Sequence, residues 1–215
     1  MTKTKYCIGS VYLCAGKILS TLSLKIPRLP GIAAENTVMI YSLLTGFSLM
    51  LTVNFDMNAV SWRTVNDGVM GGVSSGGMVQ EGELLVFTGE LSLENNGGFS
   101  SVRRHVEQDL SGAGRIRLEV RGDGREYQFR IRQNTRFDGV AWRALFTAGD
   151  DWQTIEIALD RFVPVFRGRT VAQAGPVVPS KIRQIGFLLA DRNAGPYRLQ
   201  IKEIAYLGPA KAASP

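Results

Sequence analysis

Three observations predict an antiparallel, two-layered β-protein for most of this chain. Short stretches alternate apolar and polar residues with period two. Glycine-, asparagine- or proline-bearing turns separate them. No segment carries the spacing of a long amphipathic helix. Short strands at regular spacing indicate a sandwich or a barrel of about nine strands.

From Phe55 onward the elements follow in order. Leu84–Thr88 is a short apolar strand and Phe99–Val106 a second. Over 115–121, Ile116, Leu118 and Val120 point one way and Arg115, Arg117, Glu119 and Arg121 the other, so one face is buried and one is wet. Gly122-Asp123-Gly124 signals a hairpin turn. It leads into 126–132, where Tyr127, Phe129 and Ile131 share the inward phase. Val140–Thr147 sets Trp142, Ala144 and Phe146 on one face, and Trp152–Leu159 brings Ile155, Ile157 and Leu159. Ile182–Ala190 is nearly all apolar, as suits a central strand. After Gly195-Pro196, Tyr197, Leu199 and Ile201 alternate with Arg198, Gln200 and Lys202. Asp109–Gly114 and Val178–Arg183 read as single helical turns, and 209–215 as a fraying tail.

The first quarter differs in kind. Residues 1–53 hold five basic residues, four of them lysine, and the single acid Glu35; the remainder holds 20 basic and 18 acidic residues, with arginine 17 times out of 20. Both cysteines, Cys7 and Cys14, fall in this first part, so no disulfide framework holds the body. Residues 1–53 are therefore read as an extension outside the folding unit, which is set at 54–208. Its run from Thr37 to Val53 is uncharged but contains Ser, Thr and Gly. A spanning helix needs about 17 to 25 apolar residues. An anchor or signal, a stretch upstream of the true start, and an extra layer of the domain all stay open. Membrane contact is expected only through 37–53, and the location otherwise is cytoplasmic. The formal charge of +6 comes mostly from this extension, so a nucleic-acid face is not implied.

Chemistry was sought along the body. His105 is the only histidine, so a triad or a zinc site would have to be built on it; it reads as a half-exposed strand residue. No phosphate loop or dinucleotide fingerprint is present. No enzyme activity, cofactor or metal is expected. Arg103, Arg130, Arg132, Arg143 and Arg167 fall in or beside strands, where an arginine forks onto a carboxylate, a carbonyl or a partner. A solvated strand face explains Arg115, Arg117 and Arg121. Trp142 and Trp152 read as core. Between the strands lie two glycine-rich loops, Asn66–Gly77 and Asn95–Gly98. Such loops are either ligand-facing or fill a tight corner of a β-fold.

These loops also carry a resemblance. Trp62-Arg-Thr-Val-Asn-Asp-Gly-Val-Met-Gly-Gly-Val-Ser-Ser and Phe87-Thr-Gly-Glu-Leu-Ser-Leu-Glu-Asn-Asn-Gly-Gly-Phe-Ser-Ser-Val-Arg103 resemble signatures of the complex I intermediate-associated protein family, a respiratory assembly-factor domain. So do Phe162-Val-Pro-Val-Phe-Arg-Gly-Arg169, Ile182–Asp191 and Gly195–Ile201, in the same order. The resemblance spans about residues 54–207. It implies a galactose-binding-domain-like β-sandwich of jelly-roll type and no established catalysis. It implies a chaperone-like module for a protein client, respiratory complex subunits among them. The alternative is a small-ligand or carbohydrate-binding module.

The family motif falls on Trp62, Asn66, Asp67, Gly68, Met70, Gly71, Gly72, Asn95, Gly97, Gly98, Phe99, Arg103, Pro164, Arg167 and Gly168. Asn66, Asp67, Gly71, Gly72, Asn95, Arg103 and Arg167 are the candidate binding residues. The mechanism expected of them is specific. The two loops and 162–169 meet, Asp67 pairs with Arg103 or Arg167, and glycine backbone is offered to the client.

Overall fold

The structure, a computed structural model, describes residues 52–209. The expected extension, with its uncharged run, and the expected tail lie outside the described residues, apart from Thr52, Val53 and Pro209.

Thirteen strands form among the described residues. They are β1 (Thr52–Asn54), β2 (Arg63–Thr64), β3 (Ser75–Glu81), β4 (Leu84–Leu91), β5 (Ser100–His105), β6 (Arg115–Arg121) and β7 (Glu126–Arg132). The rest are β8 (Ala141–Thr147), β9 (Gln153–Ala158), β10 (Val163–Phe166), β11 (Arg169–Thr170), β12 (Gln184–Leu189) and β13 (Gly195–Leu207). They build two antiparallel sheets, as the alternation predicts. A six-stranded sheet runs β3-β4-β13-β6-β9, with β1 also on β13; a seven-stranded sheet runs β11-β10-β8-β7-β12-β5-β2. The long β13 serves two partners on one edge. Residues 195–201 pair with β4 and 205–207 with β1, Thr52 lying opposite Leu207. A register shift between Ile201 and Glu203 separates the two halves.

The inner faces carry the predicted phases. Phe87, Ile116, Leu118, Tyr197, Leu199 and Ile201 from one sheet meet Tyr127, Phe129, Ile131, Phe146 and Phe187 from the other. Burying each such side chain contributes about 1.5–3 kcal/mol. Aromatic rings cross edge-on, with Phe129 and Phe187 5.2 Å apart at 85°. Trp142 is core as expected, its indole N–H donating to Gly175 O at 2.8 Å. Trp152 is not. It stands 38% exposed on the outer side, beneath the Arg121 guanidinium and the Lys202 ammonium. It precedes β9, whose first inward residue is Ile155, so strand phase does not carry it inside.

Candidate functional site

The two glycine loops close on one carboxylate. Asp67 opens a short 3-10 turn, Asp67–Met70, and is fully buried. Its Oδ1 accepts the Ser74 amide at 3.0 Å, and its Oδ2 accepts the Ser74 hydroxyl at 2.5 Å. Oδ2 also accepts the amides of Gly98 at 2.7 Å and Phe99 at 3.3 Å. Burial pushes this carboxyl up, but the Ser74 hydroxyl and the three amides outweigh it and hold the pKa below the usual carboxylate value. The glycines make room for the carboxylate. A methyl group on Gly72 would sit 2.4 Å from Asp67 Cγ, and one on Gly97 2.5 Å from Asp67 Oδ2.

Asn66 continues the network. Its Oδ1 accepts the Ser100 hydroxyl at 2.9 Å and the Ser101 amide at 3.1 Å, and its Nδ2 donates to Gly76 O at 3.1 Å. The Ser100 hydroxyl also meets the Tyr197 phenol at 2.6 Å. Burial pushes that phenol up to about 12, so it stays protonated. Gly71 supplies a positive φ of 92° at the end of the first turn, and Asn95 one of 54° inside the second, Glu94–Asn96.

The expected mechanism is corrected in three respects. The 162–169 stretch, around β10 and β11, lies at the edge of its sheet opposite β2, and among the described residues no hydrogen bond joins it to either glycine loop. Asp67 pairs with no arginine: its donors are a hydroxyl and backbone amides. In β5, Val102 is buried and the next residue, Arg103, faces the other way. Nor are four of the loop glycine amides free for a client. The amides of Gly71, Gly72, Gly97 and Gly98 are all bonded within the two loops. The loops do present something else. Val69, Met70, Val73 and Leu93 stand 45–64% exposed on them. Sequence reading gives none of these four a binding role, although Met70 is a motif position, because an apolar residue in a loop carries no phase.

Arg103 and Arg167 belong to the outer side of the seven-stranded sheet. Arg167 and Gly168 are the two positive-φ residues of the β10–β11 hairpin turn. The 133–140 connection between β7 and β8 reaches both arginines. Arg103 Nη1 donates to Phe137 O at 2.8 Å, with its guanidinium 4.6 Å from the Phe137 ring. Arg167 Nη2 meets Asp138 Oδ2 at 2.8 Å. Arg132 donates to Gly139 O and Gln184 to Asn134 O, so side chains of the sheet fasten this connection along its length. A depression of about 120 Å³ beside it is lined by Arg63, Arg103, Phe137 and Gln184. Another of about 270 Å³ is lined by Ser61, Arg104, His105, Glu107 and Gln108. Among the described residues no hydrogen bond joins His105 to Glu107, and no cluster of three metal-ligating side chains occurs. No helix among them is long and apolar enough to cross a membrane.

The architecture is that of a galactose-binding-like β-sandwich, a fold also found in carbohydrate-binding modules. The family 11 carbohydrate-binding module of Clostridium thermocellum, solved with a mixed-linked tetrasaccharide, is similar at a TM-score of 0.58. It is 19% identical and covers 74% of this chain and 96% of its own; at that identity the likeness is of fold. Residues 53–201 match the family described as Complex I intermediate-associated protein 30, and the chain belongs to that family. The mouse mitochondrial Complex I intermediate-associated protein 30 is 37% identical over 103 residues, 46% of this chain and 31% of its own length. The Drosophila melanogaster protein of the same name is 26% identical over 129 residues, 56% and 42% of the two lengths. The matches thus take in less than half of either relative.

Proposed function

We propose that this chain is a non-catalytic protein-binding module that acts in the assembly of respiratory complex I. Family membership points to the pathway. One structural observation supports the mode of action: loops fastened to a buried carboxylate hold Val69, Met70, Val73 and Leu93 in water. Fixing the loop in advance removes much of the ordering cost of binding, and exposed apolar side chains on fixed loops suit a protein contact. The place of action follows from the client. The mouse and fly relatives are mitochondrial by name, which speaks against the cytoplasmic expectation and for the compartment where complex I intermediates are built.

Affinity capture with the full chain, beside a Val69→Asp/Met70→Asp double variant of unchanged thermal stability, tests this. Recovery of complex I subunits by the parent and their loss from the variant is expected. Equal recovery by both removes the loop from the mechanism. Recovery of none, with binding of a β-glucan tetrasaccharide in calorimetry, replaces the reading with a carbohydrate-binding one.

A further inference from the structure

Strand register brings four arginines into one line. Arg63 lies opposite Arg103, Arg103 opposite Gly186, Gly186 opposite Arg130, and Arg130 opposite Arg143. All are on the outer side of the seven-stranded sheet, because their chain neighbours Val102, Phe129, Ile131, Trp142 and Ala144 fill the core. Strands stand about 4.8 Å apart, so the line extends for about 19 Å. In its middle Gly186 adds no side chain of its own: a methyl group there would meet Val102 O at 2.4 Å and Arg103 Cβ at 3.2 Å, so the position between Arg103 and Arg130 admits only glycine.

None of the four has a carboxylate partner among the described residues; the ion pairs formed there involve other cations. Arg130 binds only the neutral Gln128 Oε1, at 3.1 and 2.8 Å. Burial, followed by the nearby Arg132 and Arg143, lowers its pKa to about 10. Two acids lie toward this side, and neither pairs with the line, although the field of Asp138 reaches Arg103. Asp138 is held by Arg167, and Glu126 stands four residues from Arg130 on β7. Clustered, half-buried cations with no anion are a costly arrangement that an anionic partner relieves.

We propose that this face docks an extended acidic segment of a partner protein, one that intersperses carboxylates with apolar side chains. A segment rising about 3.3 Å per residue needs about six residues to cover the line. The apolar component follows from the flanks. Phe137, Leu145 and Val163 are 54%, 48% and 42% exposed, and Val163 continues the arginine line while Leu145 lies opposite Gln128. The Phe137 ring is already engaged by the Arg63 and Arg103 guanidiniums, and a phosphate or hydroxyl-rich backbone has little to place on the aliphatic Leu145 and Val163. The chain's own residues 1–51 do not complement the face, since they carry five basic residues and one acid. The choice of a protein segment over other polyanions rests on the protein-binding reading above; the line of cations does not.

The test uses the full chain and a fluorescein-labelled ten-residue Glu-Leu repeat peptide, followed by anisotropy at 50 mM and 300 mM salt. The Gln-Leu repeat, oligothymidylate and polygalacturonate serve as competitors. The Glu-Leu peptide is expected to bind at low salt, to weaken at least tenfold at high salt, and to resist all three competitors. Arg63→Gln/Arg143→Gln, at the more accessible ends of the line, is expected to weaken it at least tenfold, with the melting temperature verifying the fold. Arg115→Gln/Arg117→Gln on the other sheet is expected to leave it unchanged. Equal binding of the Gln-Leu peptide, or full binding by Arg63→Gln/Arg143→Gln, overturns the proposal. Displacement by oligothymidylate or polygalacturonate at lower concentration than the unlabelled Glu-Leu peptide overturns the choice of a protein segment. None of these outcomes bears on the Val69 and Met70 loop, so the two proposals fail separately.

Discussion

The outer faces of the two sheets use the same amino acid in opposite ways. On the six-stranded sheet the cations are matched by carboxylates, Arg121 apart, which donates to Gln200 and covers Trp152. Arg115 meets Glu156, Arg117 meets Glu203, Arg198 meets Glu81, and Lys202 meets Glu119. Arg117 and Glu156, and Arg115 and Ala158, lie opposite one another on β6 and β9, so the carboxylates are built into the register. On the seven-stranded sheet Arg63, Arg103, Arg130 and Arg143 share one line with a glycine. The first face is self-sufficient and needs nothing but water. The second is electrostatically unfinished. A count of charges does not distinguish them; the pairing does.

The buried node offers the sharpest contrast and the largest predicted effect. Asp67 is an anion satisfied without any cation, by a hydroxyl and three amides. Asp67→Ala removes the acceptor for buried donors and is expected to lower unfolding free energy by about 3 kcal/mol, read from urea denaturation. A loss under 1 kcal/mol would show that the loops hold themselves. Gly97→Ala attacks the same node sterically and is expected to cost about 2 kcal/mol, with the Asp67→Ala background absorbing much of the effect in a double-mutant cycle.

Acid separates the node from the arginine face. The folded carboxyl of Asp67 titrates below its unfolded counterpart, so the unfolded chain takes up the proton first as pH falls. The stability it provides is present above the unfolded pKa and is lost as pH drops through the lower folded one. Denaturation curves between pH 6 and 2 are expected to show a shallower acid limb for Asp67→Asn than for the parent. An identical limb would place the titration elsewhere.

The smallest effects compare the faces directly. Arg117→Gln is expected to cost up to about 1 kcal/mol, less at high salt, because it strands Glu203. Arg143→Gln is expected to be neutral or to stabilise by a few tenths of a kcal/mol, because it removes a like charge from beside Arg130. A clear loss of stability in Arg143→Gln would give that residue a folding role and blunt the contrast.

What the sequence discloses follows from the range over which a signal acts. Alternation is local, so β6 and β7 were legible from Ile116, Leu118 and Val120 and from Tyr127, Phe129 and Ile131. The strands of two to four residues, β1, β2, β10 and β11, are too short to alternate. The strand β3 is hidden because its first three residues, Ser75, Gly76 and Gly77, look like the end of the glycine loop; Gly76 is there because a methyl would meet Thr88 O and the Tyr197 phenol at 2.4 Å. Asp67 was found as a motif residue, but its donors lie 7 to 32 residues away. A carboxylate in isolation suggests an arginine, and the expected pair with Arg103 or Arg167 was that inference. The strand phase of Val102 and Arg103 argued against it. The arginine line was hidden because its members come from four strands, and only the register lines them up.

The pairing of Thr52 with Leu207 has a geometric corollary. The backbone enters and leaves the sandwich through neighbouring rungs of one ladder. A short bridge between those rungs, with new ends cut at the Gly82 turn between β3 and β4, should therefore preserve the whole architecture.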